Sequence, residues 1–181
     1  MTTRFEQFAD GLSDRERETL FATVPVLIAW IGGADGVFDG AELDAAIDEL
    51  IAGSEVLGDR FRHSMAAEEA FARIPEMVRA PDKLEFHGHL MRLRDIVRGM
   101  PDDLAGEFRA FVLHLGLHIA RASGSFLGLG DPINEDERLV LTRIVHALDI
   151  PVEDRRVRAS LRLDGDDGDG DDGGPEETLA R

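Results

Sequence analysis

The chain has 181 residues, no cysteine and a formal net charge of -17, from 20 basic and 37 acidic residues. The length suits one domain of ordinary size with a real core, and the lack of cysteine excludes disulfides and thiolate metal sites. The charge disfavours nucleic-acid phosphate and anionic membrane surfaces, both of which need a cationic footprint. Residues 164–181 hold eight acids and one Arg, and without them the body still has 19 basic and 29 acidic residues, a charge of -10. Cations and basic protein surfaces suit such a body. Hydrophobic residues are 43% and charged residues 31%, both ordinary for a globular protein. Lys83 is the only lysine and the other 19 bases are Arg, which reads as genomic bias rather than mechanism.

The opening "MTTRFEQFAD" has no apolar stretch of the signal-peptide kind. "TLFATVPVLIAWIGGA" at 19–34 is the longest uncharged run, short of the roughly 20 residues a spanning helix needs. It also contains Pro25 and two glycines, so a buried core helix in a cytoplasmic protein is expected.

Helical signals dominate, with no convincing period-2 strand. "SDRE" at 13–16 is a capping box, in which Ser13 and Glu16 satisfy each other's backbone N–H groups. Leu20, Val24, Leu27 and Ile31 follow at helical spacing, and Pro25 is expected to bend that helix by removing a donor. "DGAE" at 39–42 starts a second helix with Leu43, Ala46, Ile47, Leu50 and Ile51 on its apolar face and Gly53 at its end. Residues 55–74 read as a third helix, and Pro75 and Pro81 bracket a break. "DKLE" at 82–85 caps a helix through about Gly99, and Pro101 fits the first position of another, with Leu104, Phe108, Phe111 and Leu115 on its face. "NEDE" at 134–137 opens a helix through about Leu148, and Pro151 stops it. "EDRRVRASLRL" adds a last short helix. The end, "DGDDGDGDDGGPEETLAR", has almost nothing to bury and repels itself, so disorder is expected there.

Two segments echo each other. In "VLIAWIGGADGVFDGAELDAAIDELI" and "HLGLHIARASGSFLGLGDPINEDERLVLTRIVHAL" an apolar helix ends in Ala-Asp/Ser-Gly. An aromatic, a connection, a cap residue and a Glu three further on come next. Ala34-Asp35-Gly36 answers to Ala122-Ser123-Gly124, Phe38 to Phe126, and Asp39 and Glu42 to Asn134 and Glu137 after a longer loop. Duplication of a helix–loop–helix unit explains this, as do two ordinary capped turns.

On "ADG…DGAE" and "ARASG…INEDERLVLTRIVHALDI", over roughly residues 15–150, the chain resembles the TerB-like tellurite-resistance superfamily. That resemblance implies an all-helical, internally duplicated bundle associated with tellurite and other chemical stress. It also implies divalent metal bound by acidic residues near these loops, and partner proteins at the inner face of the membrane. Carried over, the metal positions are Asp35, Asp39 and Glu42, with Glu137 from the second unit. Ser123 and Asn134 stand where the second unit would have acids, which counts against a second, symmetric site.

The residues themselves leave two readings open. Asp35 and Asp39 on a tight loop with Glu42 one turn into a helix present three oxygen donors, the logic of Ca²⁺ and Mg²⁺ sites, with Mn²⁺ also suited and Zn²⁺ less so. The loop is not an EF-hand. Counted from Asp35, Asp39 and Gly40 match positions 5 and 6, but Val37 stands at position 3 and Ala46 where a bidentate Glu belongs. Against metal, Asp39 and Glu42 make a complete capping pair, and the partial positive charge of a helix N-terminus opposes a cation.

His114 and His118 are four apart, a spacing that can chelate Zn²⁺, but "HLGLH" lacks the central Glu of the zinc-protease motif. His87 and His89 lie close in sequence, and partly buried packing is the expected role for these histidines. No Gly-x-Ser-x-Gly, phosphate loop or cysteine nucleophile is present. The expectation is an all-α bundle of about seven helices, built from two pseudo-symmetric helix–loop–helix units over 1–163, with the acidic tail at 164–181. Its expected role is a non-enzymatic stress-response module that binds protein partners and a divalent metal. A plain interaction module without metal is the alternative, and a metal-dependent hydrolase using His114 and His118 is the less favoured one.

Overall fold

The computed structural model describes residues 2–34, 44, 46–48, 58, 72–79, 81–123 and 133–163. Among the described residues there are eight helices and no strand. They are α1 (Arg4–Asp10), α2 (Asp14–Phe21), α3 (Thr23–Gly32), α4 (Ile74–Arg79), α5 (Lys83–Arg98), α6 (Asp102–Ser123), α7 (Glu135–Ala147) and α8 (Arg155–Leu161). The helix expected over 39–53 is described only at Asp44 and Ala46–Asp48, where Ala46 is buried and Ile47 is exposed. The acidic tail and most of 55–74 lie outside the described residues.

Cap chemistry sets the boundaries. The Ser13–Glu16 capping box opens α2 as expected. A second box, Thr3–Glu6, opens α1, a helix not anticipated although "TRFE" carries the signal. Asp82 Oδ1 accepts from the N–H of Leu84 at 2.9 Å and of Glu85 at 3.1 Å to start α5, and Gly99 closes it. The long α6 begins at Asp102 with Pro101 just before it, its carbonyl accepting from Ala105 N–H at 2.8 Å. Pro101 is therefore the residue before the first helical position rather than that position itself.

Three expectations are corrected. The single bent helix around Pro25 is two helices, α2 and α3, joined at Ala22. Proline cannot donate to the carbonyl four residues back, here Phe21, and its ring crowds that carbonyl, so the interruption falls one turn before Pro25. Pro75 and Pro81 bracket the short α4 rather than a break, because Pro75 sits in the first turn where its missing N–H costs nothing. Gly58, inside the expected third helix, has φ +86°, in the left-handed region no helix uses. A Cβ there would lie 2.7 Å from Thr3 Oγ1 and 2.9 Å from Glu6 Cδ, so only glycine passes this close to the α1 cap.

Helix α3 is buried along nearly its whole length, Thr23 to Ala29 and Ile31. Around it pack α4, α5, α6 and α7, while α2 also lies on α5 and α8 lies on α7. At the meeting of α3, α6 and α7 stands Gly116: a Cβ there would approach Leu141 Cδ2 to 2.6 Å and Ile31 Cδ1 to 3.2 Å. Phe5 of α1 stacks on Phe108 of α6 with ring centroids 5.8 Å apart, both fully buried. Each such side chain contributes about 2–3 kcal/mol relative to exposure. Arg4 and Asp103 form an exposed ion pair beside this stack. That pairing raises the Arg4 pKa and lowers that of Asp103, through their side-chain hydrogen bond first.

Candidate functional site

Of the four carboxylates expected to hold metal, Asp35, Asp39 and Glu42 lie outside the described residues, as do Gly36, Phe38, Gly124 and Phe126 of the internal echo. Glu137 is described, and its geometry is that of a cap. Its Oε2 accepts from Asn134 N–H at 2.9 Å, while Asn134 Oδ1 accepts from Glu137 N–H at 2.9 Å. The residue is 1% exposed. One oxygen of this buried carboxylate is thereby committed to capping α7. Among the described residues no group of three or more His, Asp or Glu side chains could hold a metal.

His114 and His118 are both exposed on α6. His114 lines a groove of about 280 Å³ that also carries Glu153 and Asp154, and His118 is not among its described lining residues. Asp154 is itself engaged there: its Oδ1 accepts from the N–H of Arg156 and of Val157 to cap α8. The convergence of two imidazoles on a carboxylate that zinc chemistry requires is not seen among the described residues.

The described residues build a different pocket, of about 240 Å³, where α3, α4 and α5 meet. One wall is aromatic. Trp30 of α3 and Phe86 of α5 stack with ring centroids 4.3 Å apart and 15° between their planes. Behind it lies His89, one turn beyond Phe86 on α5, only 6% exposed. His89 Nε2 is buried and has no hydrogen-bond partner among the described residues. Burial first, and the charge of Arg92 second, push the His89 pKa down to about 4. The ring is therefore neutral at pH 7, and Nε2 donates or accepts according to which nitrogen holds the proton. Around the mouth stand Arg73 and Arg92 with Glu76, Asp82 and Glu85. A mixed-charge rim, an aromatic wall and one unsatisfied polar atom at depth are the makings of a small recognition pocket.

The sequence led to partly buried packing for His89 but did not bring Trp30 to it. The available signal was the helical phase of Asp82, Glu85, Phe86, His89 and Arg92, which puts all five on one side of α5. Comparison with protein-family models, with curated proteins and with solved structures gives no match for this chain. No helix among the described residues is long and apolar enough to cross a membrane.

Proposed function

We propose that this chain is a non-enzymatic, TerB-like helical binding module that serves a cytoplasmic response to chemical stress, tellurite included, through protein partners. The observation that supports it most directly is the seam at Gly116. There α6, the leading helix of the second echoing segment, packs on α3, the leading helix of the first, closely enough that a Cβ at Gly116 would come within 3.2 Å of Ile31 Cδ1. Two helix–loop–helix halves sharing one core would be joined in this way. The pocket at Trp30, Phe86 and His89 gives the module a point of recognition for a small group that hydrogen-bonds His89 Nε2.

In this reading a divalent ion, Ca²⁺, Mg²⁺ or Mn²⁺ before Zn²⁺, is held by Asp35, Asp39 and Glu42 without Glu137. The second reading, an interaction module whose carboxylates only cap helices, is favoured by the closed Asn134–Glu137 box, because Asp39 and Glu42 have the same spacing. Thermal unfolding of metal-stripped protein with each ion added separates them. Binding to the native state at about 100 times Kd adds about 2.7 kcal/mol, a rise in Tm of roughly 5–10 °C for a domain of this size. The full chain with its six tail aspartates changed to Asn serves as background, so that loose binding by the tail does not contribute. A rise lost in Asp35→Ala/Glu42→Ala establishes the ion site, and no rise with any ion establishes the capping pair.

A further inference from the structure

On the other side of α5 lies a groove of about 460 Å³, between α5 and α7. Its charge runs against that of the whole molecule. Lys83, Arg94 and Arg98 of α5 and Arg143 of α7 line it, with His87 and His146, and Asp149 is the one carboxylate among its described lining residues. The floor is apolar, formed by Leu90 and Met91. Lys83, His87, Arg94 and Arg98 follow one another along a single stripe of the helix. Arg98 is paired with Asp149 at 3.1 Å and Arg94 with its neighbour Asp95 at 3.0 Å. Lys83 and Arg143 have no carboxylate partner among the described residues. Four permanent cations gathered in one groove of a chain with net charge -17 form a site for an anionic segment.

The chain carries such a segment. Residues 164–181 hold eight acids and one Arg, with six Asp between 164 and 172. The described chain ends at Leu163, just past α8, which packs on α7, the helix that carries Arg143. Arg162 turns out of α8 with φ +51°, Leu163 N–H donates to Arg158 O at 3.0 Å, and Thr142 Oγ1 donates to Leu161 O at 3.3 Å. Eighteen residues reach up to roughly 60 Å when extended, whereas α5 is about 24 Å long at 1.5 Å per residue. Tethering raises the effective concentration of the segment to the millimolar range, so modest individual ion pairs suffice.

We infer that the α5–α7 groove is the docking site of the chain's own acidic segment 164–181, which lies across Lys83 and Arg143 and covers the cationic stripe. Lys83, the only lysine, gives a direct test. A carbodiimide joins a carboxylate to an amine without a spacer, so it reports which acids touch Lys83. The full chain is treated at low concentration as an equal mixture of ¹⁵N-labelled and unlabelled protein, and crosslinked peptides are read by mass spectrometry. The expected product joins Lys83 to an Asp of 164–172 within one isotope population. It is lost in 1 M salt, where the Debye length is about 3 Å, and lost in Arg143→Gln/Arg94→Gln, which keeps Lys83 and adds no carboxylate to the groove. No tail crosslink to Lys83, or one that survives both salt and the removal of these charges, overturns the inference. Crosslinks found only between labelled and unlabelled chains overturn it as well, and assign the groove to a second copy.

Discussion

Helix α5 presents two sites on two sides, and two histidines mark them. His89 lines the α3–α4–α5 pocket, is almost fully buried, and has a ring nitrogen without a partner among the described residues. His87, two residues earlier, lies in the α5–α7 groove and is exposed. Two residues along a helix turn the side chain by about 200°, enough to carry the same residue type from a dry aromatic pocket to a wet cationic groove. Phe86 lines both. What an imidazole does here is decided by the neighbours its phase selects, not by its place in a list of candidate ligands.

The comparison breaks most completely at Phe86. It is 4% exposed and stacked on Trp30, so Phe86→Ala should cost about 3–5 kcal/mol. Denaturant unfolding should show the loss, and both sites should be disturbed together. A cost under about 1 kcal/mol would mean that the two faces of α5 are not joined through this ring.

The His89 side is sharpened by pH. Its pKa is near 4 in the folded protein against 6.5 ordinarily. Between those values the unfolded chain binds a proton that the folded chain refuses, so stability falls as pH drops from about 6.5 to about 4 and is unaffected by this group above that window. The full effect is on the order of 3 kcal/mol. In His89→Leu the fall in stability over this window should shrink by that amount, measured as the difference between the two proteins' pH profiles. Equal profiles would show that His89 is hydrated.

The smallest effect belongs to the groove side. Arg98 and Asp149 are paired, but their side chains are 55% and 57% exposed. Arg98→Ala should therefore change stability by less than about 1 kcal/mol, and less still in high salt. A larger loss would show that the groove's charges hold the fold rather than leave it free to bind.

What could be read from the sequence was what short-range chemistry decides. Asp82 and Gly99 bound α5 as expected, and Asn134 and Glu137 open α7, because caps are settled within four residues of the chain. The break at Ala22 was not anticipated, only a bend, because Pro25 acts on the carbonyl of the preceding turn. Gly58 departs from helical backbone where the closeness of Thr3 and Glu6, far away in sequence, admits only glycine. The same holds for the sites. Glu137 was a ligand by resemblance and part of a cap by spacing, and its burial and its bonds to Asn134 favour the cap. The pocket at His89 was not legible because its wall joins Trp30 to Phe86 across two helices that share no local signal.

Arg138 has a consequence for how the molecule is assembled. Its guanidinium donates from Nε to Ser160 O at 2.7 Å and from Nη2 to Ile133 O at 3.0 Å, and it is 7% exposed. The C-terminal helix α8 is thus latched by side chains of α7 onto carbonyls at its end. A latch of this kind has nothing to hold unless α7 is itself in place. It also makes α8 the natural unit of partial unfolding, able to let go while the helices around α3 stay closed.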